Sequence, residues 1–308
     1  MKRILTIDGG GIKGIYAASM LAVIEQQKKI QLCDYFDLIA GTSTGGIIAA
    51  ALSVGIPAQK ILDLYLEYGA QIFPSKSWKL LKGKYKTQPL KNALESVFQD
   101  KKIVHAKTRL LIPAYNLETD AVRVFKTPHS GDLFYDKDYT LCDILLATTA
   151  APIYFSPHKM RGGTFIDGGI GANNPSLIAL VEGVTRCKWS KNDIVLLNIG
   201  SVNTGKNTTG KEKMGLVDFL KIQQSFMNAE NQFASNICRL ILEENYIRVS
   251  ENVQKGEVGL DNVKKHTLER LKVLGEESAK NNYASLEKKF LLQEKEPVEF
   301  GECSSCDI

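Results

Sequence analysis

Ser43 stands between two glycines in Gly41-Thr42-Ser43-Thr44-Gly45, after the apolar run Phe36 to Ala40 and before the small-residue run Gly46 to Leu52. A strand, a sharp turn and a helix in that order make a nucleophile elbow, in which the turn pushes the serine hydroxyl outward. The helix that starts there favours negative charge developing beside the serine. A serine hydroxyl becomes a useful nucleophile when a base takes its proton. Asp167, at the end of a short apolar run in Phe165-Ile166-Asp167-Gly168-Gly169, can do so directly if the fold brings it within hydrogen-bond reach. A third stretch, Asp8-Gly9-Gly10-Gly11-Ile12-Lys13-Gly14, follows the apolar run Arg3 to Ile7. Gly9, Gly10 and Gly11 carry no Cβ, so adjacent N–H groups can approach one point. Donors aimed at a developing oxyanion need that freedom. The chemistry these residues suit is acyl transfer through Ser43.

In chain order these stretches resemble the three motifs of the patatin-like phospholipase family, DGGGx[R/K]G, GxSxG and DG[G/A]. The likeness extends to Ala147-Thr148-Thr149-Ala150-Ala151-Pro152-Ile153-Tyr154-Phe155 and to Gly171-Ala172-Asn173-Asn174-Pro175, and it covers residues 1–200. It implies a Ser–Asp dyad with Ser43 as nucleophile and Asp167 as base. It implies an oxyanion hole from Gly9, Gly10 and Gly11, with Gly14, Gly41, Gly45, Gly168 and Gly169 as the remaining motif glycines. The implied reaction is hydrolysis of fatty acyl esters of membrane phospholipids, with no metal and no cofactor. Lys13 stands where many members have Arg, and the two are not equivalent donors. A short chain with a patatin core and little else is also similar to the family's bacterial anti-phage effectors, which cyclic nucleotides switch on. That likeness implies an antiviral role and a cyclic nucleotide activator, with contacts expected in the loop Ser201 to Lys213 and the helices after it.

The elements that must position these groups can be read from periodicity. Strands are expected at residues 2–8, Asp37 to Ala40, Arg109 to Asn116, Ala121 to Thr127, Gly163 to Asp167 and Asp193 to Ile199. Helices are expected at Ile15 to Lys28, Pro57 to Tyr68, Asn92 to Gln99, Leu141 to Thr149 and Pro175 to Thr185. From Met214 the pattern is helical, with Leu216, Phe219, Leu220 and Ile222 spaced for one face, and the chain to Leu292 reads mainly as helix. Strands alternating with helices argue an α/β fold, three-layered, with a largely parallel central sheet. Such sheets place their sites at strand carboxyl ends, where the motifs fall. Residues 1–200 are the expected patatin-like core, and 201–308 a loop and mainly helical extension packed on the same domain.

The chain has 308 residues, 44% of them hydrophobic, enough for one large core. The balance of 39 basic to 34 acidic residues is mild and gives no reason to expect a nucleic acid polymer as partner. No run approaches the roughly 20 apolar residues of a membrane span, and the apolar run after Met1-Lys2-Arg3 ends at Asp8, too short for a signal peptide. Six scattered cysteines show no disulfide framework, and Cys303-x-x-Cys306 lacks a second ligand pair. A cytoplasmic enzyme acting at the inner face of the cell membrane is expected; oligomeric state stays open. Gly69 to Leu94 holds six lysines and no acid. Within it, Lys76, Lys79, Lys82 and Lys84 lie among Trp78, Leu80 and Leu81, so the Phe73 to Tyr85 region suits peripheral contact with anionic lipid. The competing reading takes Gly9-x-Gly11-x-x-Gly14 as a phosphate loop in a nucleotide-binding enzyme or module. Against it, Asp34 and Asp37 precede the second strand, whereas the ribose-binding acid belongs at its end. A Ser–Asp–His order would need a histidine after the acid. Only His266 follows Asp167; His105, His129 and His158 precede it.

Overall fold

Uninterrupted apolar runs make strands that must be covered on both faces, and here they build one sheet, of eight strands among the described residues. The computed structural model describes residues 1–74, 84–203, 216–254, 257–298 and 300, with the backbone alone along 216–224. In chain order the elements are β1 (Lys2–Ile7), α1 (Gly14–Lys28), β2 (Leu38–Gly41), α2 (Thr44–Ser53), α3 (Ala58–Ile72), α4 (Gln88–Phe98), β3 (Arg109–Asn116) and β4 (Ala121–Lys126). There follow α5 (Leu141–Thr148), β5 (His158–Met160), β6 (Gly163–Asp167), α6 (Ser176–Thr185), β7 (Ile194–Ile199), α7 (Leu216–Leu242), β8 (Tyr246–Val249) and α8 (Lys265–Phe290). The strand order is β5-β6-β3-β2-β1-β7-β8, with β4 on β3. Strands β3, β2, β1, β7 and β8 run parallel. Strands β4 and β6 are antiparallel to β3, and β5 is antiparallel to β6.

Alternation along each strand divides the core in two. Leu5, Ile39 and Leu197 point into one cluster with residues of α1, α2, α3, α5 and α8. Ile4, Leu38 and Leu196 point into the other, with Ala179 and Leu180 of α6 and Cys238 and Leu242 of α7. The result is the three-layer α/β fold with a mostly parallel sheet that the sequence led us to expect. α8 crosses α1 so closely that a Cβ at Gly275 would lie 2.4 Å from the Tyr16 carbonyl oxygen. Two hydrogen bonds hold the crossing, from Tyr16 Oη to Ser278 Oγ at 3.0 Å and from Ser19 Oγ to the Lys272 carbonyl at 2.8 Å.

Register places the functional loops side by side. Ile7 pairs with Gly41 on one side and Ile199 on the other, so the segments opening at Asp8, Thr42 and Gly200 leave the sheet at one level. Asp167, at the end of β6, pairs with Ala114, three residues past the Leu111 that pairs with Ala40. Several boundaries differ from expectation. α4 starts at Gln88 rather than Asn92, because Pro89 fits a first helical turn. α3 runs on to Ile72 rather than stopping at Tyr68. Strands β5 and β8 had no counterpart in the sequence reading: at three and four residues they are too short to show alternation, and unlike the equally short β2 neither adjoins the serine motif. Strand β8 matters most, since it pairs with β7 and carries the sheet past residue 200. No helix among the described residues is long and apolar enough to cross a membrane.

Candidate active site

The turn between β2 and α2 is as tight as its glycines imply. A Cβ at Gly41 would lie 2.1 Å from the Gly45 carbonyl oxygen, and one at Gly45 would lie 2.3 Å from that of Ile7. Ser43 itself is held at φ 54°, ψ −124°, a region that disfavours any residue with a Cβ. Its N–H donates to Thr148 Oγ1 at 2.9 Å, and Thr148 Oγ1 donates to the Pro113 carbonyl at 2.6 Å. Thr42 Oγ1 donates to the Ala172 carbonyl at 2.6 Å. Neighbouring segments therefore hold the strained conformation in place.

Ser43 Oγ donates to Asp167 Oδ2 at 2.6 Å, and the Gly169 N–H donates to Asp167 Oδ1 at 2.7 Å. Both side chains are nearly buried. Burial raises the Asp167 carboxyl from 3.8 to about 6, against the pull of the Ser43 hydroxyl and the Gly169 amide. Gly168 permits close approach to β3, since a Cβ there would lie 2.2 Å from the Pro113 carbonyl oxygen. Ser43, Asp167, Gly10 and Gly11 line one cavity of ≈ 800 Å³ of empty space, open to solvent and walled by Ile47, Ile72, Phe73, Leu90 and Phe155. None of the histidines lines it. His129 is bonded to Glu182 and His158 to Asp143, while His105 accepts from Lys102 and His266 is exposed at the start of α8.

The glycine-rich loop departs from expectation at one position. The Gly9 N–H donates to the Asn173 carbonyl at 3.1 Å, so it is not available to an oxyanion. Among the described residues the Gly10 and Gly11 amides have no acceptor, and both residues face the cavity. Gly11 has φ 58°, and a Cβ there would meet the Leu260 carbonyl oxygen at 2.3 Å. Gly14 opens α1 against Tyr65, whose hydroxyl would lie 3.1 Å from an added Cβ and donates to the Thr44 carbonyl. Its part is in packing.

The sequence pattern of patatin-like phospholipases matches residues 5–180. The chain belongs to that family. It is 32% identical to a "cGAMP-activated phospholipase" of Escherichia coli (strain TW11681), over 93% of this chain and 91% of that protein. It is 31% identical to a protein of the same description from Vibrio cholerae, over 91% of each. The crystal structure of VipD from Legionella pneumophila shares the fold, with a TM-score of 0.51 at 14% identity over 92% of this chain and 67% of that one. Patatin-like phospholipases are lipid ester hydrolases, and this patatin-like chain is an enzyme of that class.

Several residues that shape this patatin-like site, among them Asn198, Glu230 and Arg248, carry no motif signal of their own. Asp8 is buried, with Oδ2 2.7 Å from Arg248 Nη2 of β8 and Oδ1 accepting from Asn198 Nδ2 at 2.8 Å. Glu230 of α7 accepts from the Asn174 N–H at 2.9 Å, and burial raises its carboxyl to about 7. Thr148 and Asn173 lie in stretches noted only for their likeness to the family. Of the basic region, only its two ends lie among the described residues. Phe73 and Tyr85 are buried, and Lys84 Nζ lies 2.5 Å from Asp261 Oδ2 between the Tyr85 and Tyr154 rings. Phe73 and Tyr85 are thus withdrawn from the surface, and Lys84 already has a counter-charge. Lys76, Trp78, Lys79, Leu80, Leu81 and Lys82 lie outside the described residues, as do 204–213 of the expected activator loop, the side chains of Leu216, Phe219, Leu220 and Ile222, and Cys303 and Cys306. Among the described residues no cluster of metal-ligating side chains occurs.

Proposed function

We propose that this chain hydrolyses fatty acyl esters of membrane phospholipids through a Ser43–Asp167 dyad, under control of a cyclic nucleotide. The observation that carries the reading is the 2.6 Å hydrogen bond from Ser43 Oγ to Asp167 Oδ2 at an apolar cavity that Gly10 and Gly11 also line. An acyl chain fills the apolar cavity and brings its ester carbon to Ser43. Oγ attacks that carbon as its proton passes to Asp167 Oδ2, and the carbonyl oxygen becomes an oxyanion beside Gly10 and Gly11. The C–O bond to the glycerol breaks, and Asp167 returns the proton to the departing alkoxide. Water then attacks the acyl-serine while giving a proton to Asp167. The fatty acid leaves as Oγ recovers that proton.

The names of the Escherichia coli and Vibrio cholerae relatives support a cyclic nucleotide as the activator. Action at the inner membrane face, with Lys76, Lys79, Lys82 and Trp78 touching anionic lipid, rests on sequence. The phosphate-loop reading is disfavoured because most of the loop's amides are engaged elsewhere, which leaves only those of Gly10 and Gly11 without an acceptor among the described residues. Gly9 N–H bonds Asn173, Ile12 N–H bonds Leu260 at 2.8 Å, and Lys13 N–H bonds Gly10 at 3.2 Å. A phosphate needs a run of free amides. A fluorophosphonate probe tests the proposal. It should label wild type and not Ser43→Ala, and only wild type with cyclic GMP–AMP should release fatty acid from phospholipid vesicles. An unlabelled Ser43 with nucleotide bound at Gly9 to Gly14 would put the other reading in its place.

A further inference from the structure

Backbone groups of one short segment between β6 and α6 reach all three motif loops. The Ala172 carbonyl accepts from Thr42 Oγ1 at 2.6 Å, next in the chain to Ser43. The Ala172 N–H donates to the Gly168 carbonyl at 2.9 Å, next to Asp167. The Asn173 carbonyl accepts from the Gly9 N–H at 3.1 Å. That last bond moors one end of the glycine-rich loop, and the bond from the Ile12 N–H to the Leu260 carbonyl at 2.8 Å moors the other. Gly10 and Gly11 lie between the two moorings.

From its other side the segment is held by α7. Glu230 Oε2 accepts from the Asn174 N–H at 2.9 Å, Asn231 Oδ1 from Asn173 Nδ2 at 2.9 Å, and Ser235 Oγ from Asn174 Nδ2 at 3.0 Å. The first of these differs in kind. The Asn174 N–H and the Asn173 carbonyl belong to one planar peptide unit, so Glu230, that unit and the Gly9 N–H form one chain of hydrogen bonds. A carboxylate at its end polarises the peptide and strengthens both bonds. Glu230 is half-buried, and the charges that face it, Asp8 just past β1 and Arg248 of β8, are bonded to each other. A charge withdrawn from water is costly; here the N–H of Asn174 and, more weakly, that of Asn173 offset the cost. Glu230 does not line the acyl cavity.

We infer that Glu230 is a positioning residue for the oxyanion donors: its carboxylate fixes the Asn173–Asn174 peptide, whose carbonyl moors Gly9 and so aims the Gly10 and Gly11 amides. This role rests on the hydrolase reading. Because such donors act mainly in the transition state, their loss of aim lowers kcat and spares KM.

Kinetics on p-nitrophenyl butyrate with cyclic GMP–AMP present test the role. Turnover is counted per serine titrated with a fluorophosphonate, so that unfolded protein is not read as a slower enzyme. Glu230→Met should lower kcat about 10- to 100-fold with KM little changed, on the scale of a misplaced reacting group. Glu230→Asp keeps the charge but draws the oxygen back by one methylene; it should also be slow, and it serves if Glu230→Met fails to fold. Glu230→Gln still offers an oxygen to the Asn174 N–H and should recover most of the rate. Ser235→Ala removes a bond from the same helix to the same asparagine without touching the peptide unit, and should keep kcat. Hydrogen exchange at the Gly9 amide, which needs no turnover, should quicken about tenfold in Glu230→Met and Glu230→Asp, as for one weakened hydrogen bond, and stay at the wild-type rate in Ser235→Ala. Unchanged Gly9 exchange in the Glu230 variants, or a kcat that falls no further in them than in Ser235→Ala, would overturn this role while the labelled wild type keeps the hydrolase reading. A wild type that does not react with the fluorophosphonate would overturn both.

Discussion

Burial lifts the Asp167 carboxyl from 3.8 to about 6, with one effect on rate and another on stability. The proposed role of base requires Asp167 ionised, so kcat/KM should rise as pH increases through about 6 and level off above it, read from a pH–rate profile. Asp167→Asn should lower kcat by about 10⁴, the scale seen when a triad carboxylate becomes an amide. For stability, a carboxyl that binds its proton more tightly folded than unfolded favours the fold while protonated. That favour is full below 3.8 and gone above about 6, so at neutral pH Asp167 holds the fold back, by on the order of 3 kcal/mol at most. Asp167→Asn should therefore melt higher than wild type at pH 8 and nearly level with it at pH 3. The meeting of Ser43 with Asp167 was legible because each sits in a stretch with its own glycines. The loss of Gly9 as an oxyanion donor was not, since its acceptor is the carbonyl of Asn173, 164 positions along.

Between elements, distance is set by what has no side chain and by what fills the remaining gap. The first turn of α2 lies on β1, so Gly45→Ala would push a methyl onto the carbonyl oxygens of Ile7 and Asp8, at 2.3 and 2.6 Å. Backbone cannot yield as a flexible side chain can, and the variant should unfold at markedly lower urea than wild type. Thr148, the last residue of α5, bridges from the Ser43 N–H to β3. Thr148→Val keeps the shape and removes both hydrogen bonds, leaving the strained serine less well fixed. The expected outcome is a fall in kcat of about 10- to 100-fold with little change in KM, on the scale a misplaced reacting group imposes. Elements of five residues or more were legible from periodicity, β3 and β6 to the residue. Strands β5 and β8 were not, because their positions follow from sheet edges that neighbouring strands leave open.

Across the whole molecule, the last third of the chain completes the first motif. Asp8 opens the glycine-rich loop, and its counter-charge is Arg248, 240 positions later on the edge strand β8. Arg248→Met would leave a buried carboxylate alone, a loss of about 3–5 kcal/mol. Urea denaturation should show it, and Asp8→Asn in the same chain should recover part of the loss. Nothing in the sequence marks Arg248, because the pairing depends on β8 lying next to β7. The pairing also has a bearing on how the protein is made. Translation delivers the amino-terminal end first, so all three motifs leave the ribosome well before Arg248 does. Until that arginine emerges, Asp8 has no cation, β7 has no outer neighbour, and the loop beside Ser43 is not fixed. A nascent or truncated chain that ends soon after Asp167 thus carries every motif residue without the clamp that sets them, and it should stay idle on an ester that the finished enzyme cleaves.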